Sequence, residues 1–117
     1  TTRGINDDAL AAYNAPFPDD DHKQGVRQFP NLVPGTPRTP SAEPNKEAWN
    51  ILRTWEKPFL CAFSDKDPIF SGVENSFYKL VPGCKDMPHV TIENAGHFLQ
   101  EDQPEACVNA ILSIKDL

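Results

Sequence analysis

The sequence lacks a long apolar stretch and an excess of positive charge. No run of about 18 apolar residues occurs, so no transmembrane helix is predicted. Residues 1–8 also lack the apolar core of a signal peptide. The 117 residues contain 11 lysines and arginines against 17 aspartates and glutamates, which gives a formal net charge of -6. This balance argues against nucleic acid and anionic membrane as partners.

Residue groups typical of metal sites are also missing. Cys61, Cys84 and Cys107 are widely spaced and form no Cys-x-x-Cys pair, so no zinc site is predicted. The acidic cluster at residues 19–21 is interpreted as a charge cluster at a helix N-terminus, because consecutive carboxylates cannot all face one ion. Cys61 lies in an apolar run, which favours a buried small hydrophobe. Unpaired thiols indicate a reducing, cytoplasmic setting.

The centre of the chain has the pattern of a strand, a helix and a second strand. Residues 58–63 form a short apolar run, which is typical of a strand buried on both faces. Apolar residues at helical spacing predict a helix over residues 71–81, with Ser71 as its cap. Residues 89–93 alternate like a strand. A right-handed crossover makes the two strands parallel neighbours.

An acid and a histidine follow these two strands at the same edge of the predicted sheet. Asp67 comes after the first strand and His97 after the second. In open α/β sheets the chemistry lies at the carboxyl ends of the strands, so the two residues are candidates for a nucleophile–histidine–acid relay. Asp65 is an alternative acid, and Asp67 could instead serve only as a turn cap. Gly96, directly before His97, indicates close backbone approach or an unusual dihedral angle.

The rest of the chain is helical around a proline-rich connector. Helices are predicted at residues 6–15, 21–29, 45–55 and 104–115. Residues 34–44 contain four prolines and predict an extended connector. Two strands make a poor independent sheet, so the chain has the character of a C-terminal portion of a larger α/β protein. A small self-contained α/β domain with an unrecognised edge strand is the alternative.

Several segments resemble known hydrolases. Asp-Pro-Ile at residues 67–69 and Asn-Ala-Gly-His-Phe-Leu-Gln-Glu at residues 94–101 resemble the end of an α/β-hydrolase. Ala-Tyr-Asn-Ala-Pro-Phe-Pro-Asp at residues 12–19 and Gly-Val-Arg-Gln-Phe-Pro at residues 25–30 resemble the segment of haloalkane dehalogenases that leaves the helical cap. Together the similar segments extend along nearly the whole chain. The position of the acid resembles the subfamily whose acid is an aspartate after this late strand.

The resemblance implies a domain organisation and a reaction. Residues 1–33 would end the helical cap, residues 34–44 would connect, and residues 45–117 would form the C-terminal part of the α/β-hydrolase main domain. In this family an aspartate nucleophile displaces halide from a haloalkane, and a histidine activates water to hydrolyse the alkyl-enzyme ester. The resemblance makes His97 the base and Asp67 its acid, with no metal and no organic cofactor. The nucleophile has no candidate here, so this chain alone is expected to be inactive without the N-terminal part of the hydrolase.

The resemblance also implies an apolar substrate pocket. Its expected lining residues are Phe17, Pro18, Ile69, Phe70, Phe98 and Leu99. An apolar wall suits an uncharged haloalkane and keeps water away from the reacting atoms, apart from the water that is consumed. Epoxide hydrolysis and ester hydrolysis are alternative activities on the same fold, and a non-catalytic relative with a binding role is a further alternative. The identity of the nucleophile in the complete protein would separate a serine hydrolase or a non-catalytic relative from the enzymes with an aspartate nucleophile.

Overall fold

The computed structural model describes residues 1–114, which divide into two compact units. One unit is Ile5–Ile51, and the other combines Thr1–Gly4 with the chain from Leu52 onward. None of the helices formed by residues 1–114 has the length and apolar character that a bilayer crossing requires. The end of the helix predicted at residues 104–115 lies outside the described residues.

The unit Ile5–Ile51 is helical, as the sequence predicts. Its α-helices are α1 (Asp7–Asn14), α2 (Gln24–Gln28) and most of α3 (Ala42–Leu52), and 3-10 turns cover Asp21–Lys23 and Phe29–Leu32. Asn6 caps α1, because its side chain accepts a hydrogen bond from the Ala9 N–H at 2.8 Å. The helix predicted at residues 21–29 is present as α2 with a 3-10 turn before it.

The boundaries of α3 differ from the prediction of residues 45–55. The helix begins at Ala42 and ends at Leu52. Pro44 lies in its first turn, where backbone N–H groups have no partner within the helix and a missing donor is therefore tolerated. The first helical hydrogen bond runs from the Asn45 N–H to the Ser41 carbonyl. Counting Pro44 as part of the connector therefore placed the helix start three residues too late.

The second unit contains a two-stranded parallel sheet. Strands β1 (Ala62–Ser64) and β2 (Val90–Ile92) pair with Ala62 opposite Val90 and Ser64 opposite Ile92. The predicted parallel pairing is confirmed. Both strands are shorter than predicted. Before β1, the Phe59 N–H donates to the Gly83 carbonyl at 3.0 Å and therefore does not pair with a strand.

The helix between the strands, α4 (Glu74–Leu80), begins three residues later than predicted. The expected cap at Ser71 is wrong, because Val73 precedes the helix and no side chain caps it. Gly72 has φ of +85°, a left-handed conformation that interrupts the path from Ser71 into the helix. The helix ends at Leu80, close to the predicted end at residue 81, and a 3-10 turn over Pro82–Cys84 follows it after Val81. A side chain on Gly83 would collide with the Lys57 carbonyl, so only glycine fits there.

The buried residues described in this unit include two groups. Ile92, Ala95 and Ala110 form one, and Ala110 belongs to α6 (Pro104–Ser113), which follows the short helix α5 (Leu99–Asp102). Cys61 and Cys84 form the other, with their sulfur atoms 4.0 Å apart. Burial, together with the neighbouring Cys84 thiol, raises the pKa of Cys61 to about 12. Cys61 is therefore the buried small hydrophobe that the sequence predicts.

Candidate catalytic site at the strand ends

The structure brings Asp67 and His97 together at the carboxyl ends of β1 and β2. His97 Nδ1 lies 3.1 Å from Asp67 Oδ2 and 3.3 Å from Asp67 Oδ1. Because a carboxylate only accepts hydrogen bonds, Nδ1 must carry a hydrogen, and the Nδ1–H group donates a hydrogen bond to the Asp67 carboxylate. The other ring nitrogen, Nε2, is then the basic atom of a neutral imidazole. The arrangement can therefore take a proton at Nε2 and stabilise the resulting imidazolium through Asp67.

The loop after β1 fixes the orientation of the Asp67 carboxylate. Asp67 Oδ1 accepts hydrogen bonds from the Ile69 N–H at 2.8 Å and the Phe70 N–H at 3.3 Å. Asp67 thus closes a turn and also faces His97, so it is not only a turn cap. Burial is the largest influence on the pKa of Asp67 and raises it, but the hydrogen bonds from Ile69, His97 and Phe70 outweigh burial and lower the pKa below its ordinary value. Asp67 is therefore ionised at neutral pH.

Asp65, the alternative acid, has a different partner. Its Oδ1 accepts a hydrogen bond from the Ala95 N–H at 3.1 Å, and its side chain is exposed. Backbone N–H groups of Asn94 and Ala95 lower the pKa of Asp65 below the ordinary value. The two carboxylates of this loop therefore have different roles. Asp67 contacts the His97 ring, and Asp65 accepts a hydrogen bond from the backbone shortly before His97.

His97 lies in the loop after β2, which contains a residue in the left-handed conformation. Asn94 has φ of 58°, whereas Gly96 does not have a positive φ. Of the two features expected at Gly96 as alternatives, close backbone approach or an unusual dihedral, the dihedral is found instead at Asn94, a residue type that tolerates this conformation better than most. The Lys66 N–H donates to the Ala95 carbonyl at 3.0 Å, and the Ser64 hydroxyl donates to the Gly96 carbonyl at 2.8 Å. These bonds tie the loop after β2 to the loop after β1.

Asp102 is a buried carboxylate that sequence reasoning missed. It lies at the end of α5 with no solvent exposure, and its oxygens accept hydrogen bonds from backbone N–H groups of Gly96, Thr2 and Arg3. Burial is the largest influence and raises the pKa of Asp102, but the N–H bonds from Gly96, Thr2 and Arg3 outweigh it and lower the pKa. Nothing in the local sequence distinguishes Asp102 from the exposed Glu101 beside it.

Two aromatic rings contact the imidazole of His97. The Phe70 ring centre lies 5.4 Å from that of His97, and Phe98 meets it edge-on at 5.2 Å. Phe70, Phe98 and Ile69 are largely exposed, whereas Leu99 packs against the cluster around Ile92. An apolar border therefore surrounds the imidazole on the side of Phe70 and Phe98.

Two expected lining residues belong to the other unit. Phe17 and Pro18 lie in Ile5–Ile51, between α1 and α2. Their place in a substrate pocket stays a prediction, as do the substrate contacts expected of Ile69, Phe70, Phe98 and Leu99.

The other two histidines have partners other than Asp67. His89 Nδ1 accepts from the Cys61 N–H at 3.1 Å, so its Nε2 carries the proton and donates to the Cys84 carbonyl at 3.0 Å. Both ring nitrogens of His89 therefore bond to backbone groups and serve the structure. His22 is exposed and contacts Asp19 at 2.6 Å.

Comparison with known proteins identifies proteins of similar sequence. No protein-family model matches the chain. A haloalkane dehalogenase of Psychrobacter cryohalolentis is 50% identical over 105 residues, which is 90% of this chain and 35% of the relative. Haloalkane dehalogenases of Mycolicibacterium paratuberculosis and Mycobacterium marinum are 42% and 41% identical over 113 residues, 97% of this chain and 37% and 38% of the relatives. The chain thus spans little more than a third of the length of the curated relatives that it matches.

Proposed function

We propose, from the premise that this chain is homologous to the C-terminal portion of haloalkane dehalogenases, that it supplies the base and acid of a hydrolase that cleaves carbon–halogen bonds. His97 is the base and Asp67 its acid. The observation that carries the proposal is the Asp67–His97 hydrogen bond at the sheet edge where the chemistry of α/β folds occurs.

The proposed reaction has two steps, and this chain acts in the second. An aspartate outside the chain attacks the halogen-bearing carbon, forms a carbon–oxygen ester bond and releases halide. Water then adds to the ester carbonyl while His97 Nε2 takes its proton. The ester breaks, the alcohol leaves with a proton, and the aspartate nucleophile is regenerated. His97 is thus required for turnover but not for the first displacement.

Asp67 supports the second step in two ways. Its hydrogen bond with Nδ1 selects the tautomer in which Nε2 can accept a proton. Because hydrogen bonds lower its pKa, Asp67 stays ionised and stabilises the imidazolium that forms as water is deprotonated. The same bonds to Ile69 and Phe70 stop the carboxylate from rotating away.

The surroundings of His97 suit an uncharged substrate. Phe70 and Phe98 place apolar rings against the imidazole, which favours an alkyl group and limits access of bulk water. We extend this wall to Ile69, Leu99, Phe17 and Pro18 by resemblance to haloalkane dehalogenases. The proposed reaction uses no metal and no organic cofactor.

The proposal assigns the remaining sheet to the N-terminal part of the hydrolase. The relatives are nearly three times as long as the matched region, and a two-stranded parallel sheet is a poor core by itself. Within the proposal, residues 1–33 end the helical cap, residues 34–44 connect, and residues 45–117 complete the main domain. A cytoplasmic setting is supported by the free cysteines.

Halide release by the full-length protein tests the proposed function. With a chloro- or bromoalkane, wild-type protein should release halide and alcohol in equal amounts over many turnovers. His97→Gln should release about one halide per enzyme and then stop, because only the second step needs the base. His22→Gln, the same substitution at an exposed histidine, is the matched control and should behave like wild type. Hydrolysis of an epoxide or an ester without halide release would favour the alternative hydrolases, and no turnover of any of these would favour a non-catalytic relative.

A further inference from the structure

Asp102 forms a second acid–backbone contact in the loop that carries His97. Asp102 Oδ2 accepts a hydrogen bond from the Gly96 N–H at 2.8 Å, one residue before His97. Asp65 Oδ1 accepts one from the preceding N–H, that of Ala95. Two consecutive amides are therefore held by two carboxylates from different elements, Asp65 from the loop after β1 and Asp102 from α5.

The carbonyl groups of the same residues are also held. Ala95 accepts from the Lys66 N–H and Gly96 from the Ser64 hydroxyl. The N–H and carbonyl of both residues before His97 are thus bonded to fixed partners. A backbone restrained in this way leaves the His97 ring little freedom to leave Asp67.

Of the two carboxylates, Asp102 is the more strongly engaged. It is completely buried, and both of its oxygens face N–H donors: Thr2 donates to both at 2.8 Å, and Arg3 donates to Oδ1 at 3.3 Å. A buried charge is stable only when it is fully hydrogen-bonded, so removing it would leave these donors without their acceptor. Asp65 is exposed, and water can replace its bond.

We propose that Asp102 is a positioning residue for His97, acting through the Gly96 amide to hold the imidazole in register with Asp67. The inference rests on the proposed function, because it assumes that His97 is the base of ester hydrolysis. Reactions that depend on a positioned base lose about 100-fold in rate when the reacting groups are displaced by about 1 Å. Loss of the Asp102 carboxylate should therefore slow the step that uses His97 and spare the step that does not.

Rapid-quench measurement of the two steps in the full-length hydrolase tests this role. With a bromoalkane, Asp102→Asn should hydrolyse the alkyl-enzyme ester about 10 to 100 times more slowly, with alkylation changed by less than about twofold. A larger fraction of the enzyme would then carry the ester at steady state. Glu105→Gln, which removes an exposed acid in the adjacent helix α6, is the control for charge and should leave both rates unchanged.

A merely structural role of Asp102 predicts a different result. Partial unfolding lowers the fraction of active enzyme and reduces both rates by the same factor, so an equal fall in both, or no fall in either, would overturn the proposal. If Asp102→Asn does not fold, Asp102→Glu keeps the charge, shifts it by one methylene and is judged by the same ratio of rates. Ester accumulation in His97→Gln without any in the Asp102 variants would reject the role of Asp102 alone, whereas no ester in any variant would reject the proposed function as well.

Discussion

The sheet edge at His97 and the apolar face of the same two strands differ in how completely this chain supplies their contacts. At the edge, the backbone of Ala95 and Gly96 is fully hydrogen-bonded, and Asp67 has three donors. On the apolar face, an open groove of about 310 Å³ runs beside the strands. It is lined mainly by Leu60, Ala62, Ile92, Leu99, Cys107, Ala110, Ile111 and Ile114.

Two isoleucines on the apolar face show the contrast. Ile92 is 1% exposed within the cluster of Ala95 and Ala110, whereas Ile111, one residue after Ala110, is 66% exposed. An exposed apolar groove of this kind is typical of a surface that another segment covers. The comparison indicates that the Asp67–His97 pair is held by contacts within this chain, whereas the apolar face is left open, and we propose that segments outside the chain cover it.

The largest effect is expected when the turnover of Asp67→Asn is compared with that of Asp65→Asn in the full-length protein. This comparison tests the sheet edge at His97. Asp67→Asn should slow turnover on the order of 10² to 10⁴-fold, because an amide can hold His97 in the wrong tautomer. Asp65→Asn should slow it by less than about tenfold, because the side-chain oxygen can still accept from the Ala95 N–H. Steady-state halide release measures both.

The two aspartates lie two residues apart in one loop, so each variant is the control for the other. Equal losses, or a larger loss in Asp65→Asn, would show that the pairing of His97 with Asp67 is not what the reaction uses.

Ile92→Ala should lower the free energy of unfolding by about 2–5 kcal/mol, because it opens a cavity in the packed cluster. Chemical denaturation of the full-length protein, followed by circular dichroism, measures the change. A loss below about 0.5 kcal/mol, the range of surface substitutions, would mean that this cluster is not part of the core.

Ile111→Ala distinguishes a covered groove from an open one. If the N-terminal part of the hydrolase covers the groove, the substitution should destabilise the full-length protein by about 1–3 kcal/mol, because buried methyl groups are lost. An effect within about 0.5 kcal/mol would contradict the proposed cover, since an exposed side chain contributes little. Val108→Ala, at another exposed apolar residue of α6 outside the groove lining, is the matched control.

Acid should weaken the edge before it affects the apolar face. The pKa values of Asp67 and Asp102 are lowered below the ordinary value of 3.8 in the folded chain. Both groups therefore contribute stability that is complete above the ordinary value and is lost as the pH falls through the lowered pKa values. Thermal unfolding at a series of pH values measures this loss. The unfolding temperature should fall below pH of about 4, and the fall should be smaller in Asp102→Asn than in wild-type protein. An equal decline in both proteins would assign the acid sensitivity to other groups.

The residues of the candidate pair could be predicted, because strand periodicity and topology place them without any detail of packing. An apolar strand, a helix and an alternating strand suffice to bring Asp67 and His97 to one edge, and the parallel register confirms that arrangement. Element boundaries were less accurate. Serine is a common N-cap residue, which favoured Ser71 as the cap, but Gly72 is left-handed and the helix begins only at Glu74.

The supporting contacts could not be predicted from local sequence. Asp102 is buried by a contact with Thr2, 100 residues away, and no periodicity encodes such a pairing. His89 is similar: it has no motif around it, yet both ring nitrogens bond to backbone groups of Cys61 and Cys84. Tertiary hydrogen bonds of single side chains thus decide how the edge is held, whereas sequence patterns decide which residues reach it.

The intact mass of full-length His97→Gln after incubation with a bromoalkane tests the central claim most directly. If His97 is the base of ester hydrolysis, the protein should gain the mass of one alkyl group in nearly every molecule, because the ester forms and cannot be hydrolysed. Wild-type protein treated in the same way should show little of this species. Undiminished turnover by His97→Gln, or an unmodified mass with no halide released, would contradict the assignment of His97 and Asp67 as the base and acid of the reaction.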